Sequence, residues 1–203
     1  MTINAGVGMG RHHNPNVAGR EAADQALEKA GVSKPDFVFM FASIGYDQPS
    51  LVRAVRETTG GAPLAGCSAE GTINGDDADE SNFSVVVTAI SSDELQWTNG
   101  IVPGLEDDPR AVGKQVAQDL LPNLSADAIG LFVFPDGLTD YLEPFFAGLE
   151  ENLPSDRFLR SGAGELATTS VWRSQPINIA TTKSSLVGLP TRCSQVRHKL
   201  VGL

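Results

Sequence analysis

The N-terminal segment places one alanine-striped helix between two apolar runs, and this alternation constrains the fold more than any other feature. Residues 2–9 (TINAGVGM) predict a strand that ends in glycines. Asn14 is a predicted helix N-cap, Pro15 occupies the first helical position, and alanines then recur every four residues until Gly31 ends the helix. Residues 36–43 form a continuous apolar run, which is typical of a strand covered on both faces. The segment therefore predicts a βαβ unit.

The rest of the chain continues the alternation of strands and helices, with one exception. Residues 83–90 and 95–102 are rich in β-forming residues and flank a short polar connection, so we expect them to pair as an antiparallel hairpin. The sequence predicts an α/β fold with a mixed sheet of βαβ units and this hairpin, with helices packed on the sheet. The other predicted elements are a helix at 50–57, a strand at 62–67, a helix that Asp108 caps, a strand at 128–134 and a helix that starts near Pro144.

Composition excludes several classes of function. The chain has 203 residues, 41% of them hydrophobic, and a formal net charge of -10, which argues against binding to nucleic acid or to anionic membranes. Its longest apolar runs are too short to cross a bilayer. Cys67 and Cys193 lie far apart and form no metal-binding or redox spacing. We expect a cytoplasmic protein without a disulfide scaffold.

The stretch AGCSAEG, residues 65–71, places a cysteine, a serine and a carboxylate at the end of an apolar run. A hydrolase nucleophile elbow needs the spacing G-x-S-x-G, but Ser68 is followed by two residues before the next glycine. No cation, histidine or helix end that could stabilise a Cys67 thiolate is predicted beside it. We interpret Cys67 as a packing residue, and Ser68 and Glu70 as candidate ligand-binding residues on a strand-end loop.

Three other segments raise possible sites. Residues 6–11 (GVGMGR) lack the third glycine of a dinucleotide-binding loop. His12 and His13 lie between a strand end and a helix start, where haem or a metal could bind, although an exposed pair of histidines is the simpler interpretation. Residues 72–80 (TINGDDADE) predict a solvated acidic loop, because the glycine precedes the acids and so does not fit a calcium loop.

The segment FPDGLT places Asp136 and Gly137 directly after a buried strand. Residues at the carboxyl end of a strand in an α/β fold often face a ligand crevice. An aspartate that caps its own turn would give the same pattern. Asp136 and Gly137 are therefore candidate ligand-binding residues, with a local turn as the alternative.

Five motifs in order make the chain resemble a FIST domain. They are AGVGMG, AGREAADQAL, PDFVFMFAS, GCSAEG and FPDGLT, and the resemblance covers residues 1–164 in the manner of the N-terminal part of such a domain. It implies a sensory domain of signal transduction that binds a small molecule, with amino acids among the suggested ligands, and that acts on a downstream signalling protein. Some members of the family bind haem, which keeps His12 and His13 as candidates. The resemblance carries over no catalytic residue.

Residues 165–203 depart from this pattern. From residue 155 onward the chain holds 2 acidic and 7 basic side chains, whereas residues 1–154 hold 23 acidic and 8 basic. The expected continuation of the family pattern after SGAGE is also missing. We hypothesise that this tail is a product of a frameshift or a poorly ordered extension, which would make the chain a truncated FIST domain.

The sequence thus predicts a non-enzymatic sensory domain that binds a small ligand and needs no cofactor. A haem-binding nitric-oxide sensor that uses His12 or His13 is one alternative. An enzyme with Cys67 or Ser68 as nucleophile, and with Glu70 as its base, is the other.

Overall fold

The computed structural model describes residues 2–75, 77–123, 128–135, 142–153, 159–162 and 177–184. Strands and helices alternate along the chain, as the apolar pattern predicts. The first half contains β1 (Ile3–Gly10), α1 (Pro15–Ala30), β2 (Phe37–Ser43), α2 (Gln48–Thr58), β3 (Leu64–Ala69), β4 (Thr72–Asn74), β5 (Asp77–Asp79) and β6 (Val85–Ser92). The second half contains β7 (Leu95–Val102), α3 (Pro109–Leu120) with a 3-10 turn at Leu121–Asn123, β8 (Ala128–Phe134), α4 (Leu142–Glu150), β9 (Leu159–Gly162) and β10 (Ile177–Ser184).

The strands form two mixed four-stranded sheets and one small hairpin. The first sheet has the order β1-β6-β2-β3 and the second has the order β7-β10-β8-β9, while β4 and β5 pair with each other. Strand β6 is antiparallel to both β1 and β2, and β2 is parallel to β3. Strand β10 is likewise antiparallel to both β7 and β8, and β8 is parallel to β9. The mixed α/β class predicted from the sequence is confirmed, and the chain contains the same strand arrangement twice.

The pairing predicted for β6 and β7 is wrong. Both strands exist, but β6 lies between β1 and β2, so both of its edges are occupied within the first sheet. The chain therefore passes to the second sheet, where β7 pairs with β10. The antiparallel hairpin of the molecule instead occupies residues 72–79, where the sequence predicted an acidic loop.

Helix α1 forms as its sequence predicts and packs closely on β1. The Asn14 side chain accepts hydrogen bonds from the backbone of Asn16 and Val17, and Gly31 ends the helix in the left-handed conformation. The alternate glycines of β1 face this helix, since a Cβ built at Gly8 would lie 2.0 Å from the carbonyl oxygen of Ala22. These glycines permit contact between strand and helix backbones and do not form a dinucleotide loop.

The two sheets pack face to face, with helices on their outer sides. Alternate residues of β2 face α1 and α2, and the remaining ones face the second sheet. Aromatic rings fill the layer between the sheets. Ring pairs across this layer include Phe37–Trp97 at 4.4 Å, Phe39–Phe132 at 5.0 Å and Phe41–Phe134 at 5.6 Å between centroids.

Strand β10 comes from the tail that begins at residue 165. It lies between β7 and β8 and forms backbone ladders with both. The division of the chain at residue 164, and the origin of the tail, stay predictions. Within the described residues, the helices are too short or too polar to cross a membrane.

Candidate functional site

Buried polar side chains gather at the carboxyl end of the parallel pair β2 and β3. Apart from Thr59, every buried polar side chain of the described residues belongs to this group. The group, which we call the polar cluster, consists of Ser43, Gln48, Ser68, Thr72 and Ser84, and its members are between 0% and 6% exposed. Because such concentration of buried polarity is costly unless it is hydrogen-bonded, the polar cluster is the first candidate for a functional site.

Register and hydrogen bonds bring the polar cluster together. Ser43 ends β2 and Ser84 precedes β6, and the Ser84 amide donates to Ser43 Oγ at 2.8 Å while Ser43 Oγ donates to the Ser84 carbonyl at 3.2 Å. Ser68 lies beside Ala42 in the parallel ladder. Thr72, in β4, contacts the hydroxyl of Ser84. The hydrogen bonds of Ser43, Thr72 and Ser84 therefore join the ends of β2 and β6 to the hairpin.

Two polar atoms at this end of the sheet lack a hydrogen-bond partner within the described part of the chain. Gln48 donates through Nε2 to the Ser43 carbonyl at 3.2 Å, but its Oε1 is buried without a donor. The hydroxyl of Tyr46 is likewise buried without a partner, and this residue is only 5% exposed. Its ring packs edge-on against Phe83. Burial, followed by the nearby charges of Asp79 and Glu21, raises the pKa of Tyr46 to about 12.

The hairpin of β4 and β5 is attached beside the polar cluster by ion pairs to Arg11. This residue directly follows β1, and its guanidinium contacts the carboxylates of both Asp77 and Asp79, with Nη2 to Asp77 Oδ2 at 2.7 Å. Hydrogen bonds from Ser81, and then the Arg11 guanidinium, hold the pKa of Asp79 below its usual range. The acidic segment is thus paired with a cation and is not simply solvated.

The structure separates the residues of the AGCSAEG stretch. Ser68 is buried beside Ala42 in the ladder, whereas Glu70 is exposed just beyond the end of β3. Cys67 lies on the opposite face of the strand and packs against the aromatic layer between the sheets. The strand alternation separates Cys67 from Ser68 because successive side chains point to opposite faces.

The histidines lie at the same end of the first sheet, on its surface. Both are exposed, and His12 Nδ1 accepts a hydrogen bond from the Asn14 amide at 3.0 Å. The ring of His13 lies 4.3 Å from that of Phe83. Among the described residues, no group of three or more histidine, cysteine or acidic side chains could hold a metal ion. Asp136 and Gly137 lie outside the described residues.

The sequence analysis named Ser68 as a candidate but did not name Tyr46 or Gln48. Both follow β2 in a segment whose polar composition indicates a surface loop, and nothing local signals their burial. The one signal available was the serine that ends the apolar run 37–43, because a polar residue that continues a buried strand needs partners.

A concave feature lies elsewhere, on the outer side of α2. This open hollow has a volume of about 640 Å³ and is lined by Pro49, Val52, Arg53, Arg56, Glu57, Gly60 and Gly61. It contains none of the buried polar groups, and it opens widely to solvent. The polar cluster therefore remains the better candidate, because specific recognition requires desolvated polar groups in fixed positions.

Comparison with known proteins identifies the family. The model of the FIST N domain matches residues 36–185, which is more than half of the chain. No curated protein matches the sequence.

Two solved structures are among those similar to the chain. A protein described as a candidate translation initiation inhibitor from Salmonella typhimurium has 10% identity and a TM-score of 0.34, with 48% of this chain and 87% of that chain covered. A chorismatase has 11% identity and a TM-score of 0.44, with 93% of this chain and 56% of that chain covered. Likenesses this distant carry no functional information. The match to the family model shows that this chain belongs to the FIST family, whose domains are sensory domains of signal transduction.

Proposed function

We propose that this FIST domain binds a small polar molecule at the polar cluster and reports its presence to a downstream signalling protein. The observation that carries the proposal is that Gln48 Oε1 and Tyr46 Oη are buried without partners among the described residues. A third such atom, Trp97 Nε1, lies in the aromatic layer between the sheets. Each such atom costs about 1–3 kcal/mol of stability when it is left unsatisfied. A buried polar atom without a partner calls for an explanation, and we propose that a bound ligand supplies the missing hydrogen bonds here.

The position and chemistry of the polar cluster suit a small ligand. Ligands of α/β folds commonly bind at the carboxyl ends of parallel strands, and Ser43 and Ser68 lie at that end of β2 and β3. Gln48 Oε1 requires a donor, and the Tyr46 hydroxyl can donate or accept. We therefore propose a small molecule that carries at least one hydrogen-bond donor, and amino acids belong in the first panel of candidates.

The hydrogen bonding of the cluster favours binding over catalysis. The hydroxyls of Ser43, Thr72 and Ser84 bond to one another and to the backbone. Activation of a hydroxyl nucleophile requires an adjacent base, and no base supplies these bonds. The contact of Cys67 with aromatic side chains also favours a packing role. We propose a non-enzymatic domain and place it in the cytoplasm on the basis of its cysteine usage.

A thermal-shift screen with amino acids and small metabolites tests this function. A ligand at 100 times its Kd stabilises the folded state by about 2.7 kcal/mol, so it raises the Tm measurably. We expect Gln48→Leu to abolish the shift, since it removes Oε1 while keeping a side chain of similar size. Arg53→Ala, in an exposed part of α2, is the matched control and retains the shift. A shift that survives both Gln48→Leu and Tyr46→Phe, or a silent panel, contradicts the proposal.

A further inference from the structure

The hairpin of β4 and β5 is short and largely exposed. Thr72 is its one buried side chain among the described residues, and Ile73 is 73% exposed. Each strand is three residues long. A two-stranded hairpin is marginally stable unless it packs on other elements, so this segment belongs to the low end of local stability in the molecule.

The same hairpin lies directly against the polar cluster. The hydroxyl of Thr72 contacts that of Ser84, which is 0% exposed. Arg11 also contacts Asp77 and Asp79 of the hairpin. Because Ser84 is fully covered, a ligand can reach it only when the covering residues move.

We infer that the hairpin is a hinged cover of the polar cluster, held closed by the contacts of Arg11 with Asp77 and Asp79. This inference rests on the proposed function, since it describes how a ligand reaches its site. The ion pairs suit such a role because exposed pairs are individually weak and are screened by salt. They close the cover most of the time and still allow frequent opening.

In the closed state Gln48 Oε1 and Tyr46 Oη have no partner among the described residues. We expect opening of the hairpin to admit solvent and ligand to them. A ligand that fills these positions and supplies hydrogen bonds to them binds the closed state better than the open one. Its binding therefore shifts the hairpin towards the closed state. The exposed side of the hairpin, including Ile73, is then the surface that changes with ligand occupancy.

Thiol labelling measures the opening without any ligand. Cys67 and Cys193 are first replaced by serine, and Ser84→Cys then places a single thiol beneath the hairpin. Ellman's reagent labels this thiol only when the hairpin opens. Thr59→Cys in the same background is the control, because Thr59 is also 0% exposed but lies at the end of α2.

We expect Arg11→Ala to increase the labelling rate at position 84 by roughly two- to tenfold, as befits the loss of exposed ion pairs. The rate at position 59 should stay unchanged, and Arg53→Ala should change neither rate. High salt should speed labelling at position 84 when Arg11 is present and have little effect in Arg11→Ala. Equal rates at positions 84 and 59, or no effect of Arg11→Ala, would overturn the inference.

A charge swap provides an independent check. We expect Arg11→Glu to speed labelling at position 84, and we expect Arg11→Glu combined with Asp77→Arg and Asp79→Arg to return it towards the rate of the parent protein. Labelling that stays fast in the combined variant contradicts the hinged cover. If labelling behaves as expected but no metabolite raises the Tm, the hinged cover stands and the proposed ligand function fails. If a metabolite binds but Arg11→Ala leaves the labelling rate unchanged, the ligand function stands and the hinged cover fails.

Discussion

Replacement of Tyr46 by phenylalanine is expected to stabilise the protein. Tyr46 is 5% exposed, and its hydroxyl is buried without a partner in the described part of the chain. Phenylalanine keeps the ring and its contact with Phe83 but removes the unsatisfied group. Since an unsatisfied buried polar group costs about 1–3 kcal/mol, we expect the free energy of unfolding to rise by about that amount. For a chain of this size, the Tm should increase by at least about 2 °C.

The pH dependence of stability gives a second signature of the same residue. The pKa of Tyr46 is raised to about 12 in the folded state, whereas tyrosine in an unfolded chain has a pKa of about 10. As the pH rises above about 10, the unfolded state ionises first, so the free energy of unfolding falls until the pH reaches about 12. Tyr46→Phe should remove this contribution to the fall.

Chemical denaturation at neutral pH, repeated at intervals up to pH 12, measures both effects. Thr59→Val is the matched control, because Thr59 is equally buried but its hydroxyl donates to the Val55 carbonyl at 2.9 Å. That variant should lose about 1 kcal/mol. If Tyr46→Phe also lowers the free energy of unfolding, the Tyr46 hydroxyl has a partner, and the reasoning about the polar cluster is wrong.

Three further predictions address the packing, the tail and the haem alternative. Gly8→Ala should destabilise the protein by about 3 kcal/mol or more in urea denaturation, because its Cβ would lie 2.0 Å from a backbone oxygen, whereas Gly100→Ala, with open space around it, should change stability by less than about 1 kcal/mol. Deletion of residues 177–203 should lower the Tm strongly because β7 and β8 lose their shared partner strand. An unchanged Tm would favour a dispensable, frameshifted tail. Sequencing the gene, to look for a family-like reading frame in the segment that encodes the tail, tests the frameshift directly. Added haem should leave the visible spectrum of the protein at that of free haem; a Soret shift that His12→Ala or His13→Ala removes would instead support the gas-sensor alternative.

The helices and strands of the first half were predictable because their signals are local. Asn14 and Pro15 start α1, and the alternating faces of β2 follow from its apolar run. The assignment of β6 and β7 to different sheets was not predictable, since their two-residue connection indicates a hairpin. That outcome depends on both edges of β6 being occupied, which is a long-range property.

The residues of the candidate site also divide into those with a local sequence signal and those whose position depends on distant parts of the chain. Ser68 was named from its position at the end of an apolar strand, and the structure buries it, while its role in ligand binding stays a prediction. Tyr46 and Gln48 could not be found, because their burial depends on elements distant in sequence, including Phe83 and the end of β2. Arg11 and Asp79 were also separated by 68 positions, so their pairing emerges only in the folded chain.

The most direct test of the central claim is native mass spectrometry of the whole chain after incubation with a pool of small metabolites. We predict that the wild-type protein retains one small molecule, that Gln48→Leu loses it, and that Arg53→Ala keeps it. A wild-type protein that retains nothing, or a bound molecule that Gln48→Leu and Tyr46→Phe both retain, would contradict the assignment of the polar cluster as the ligand site.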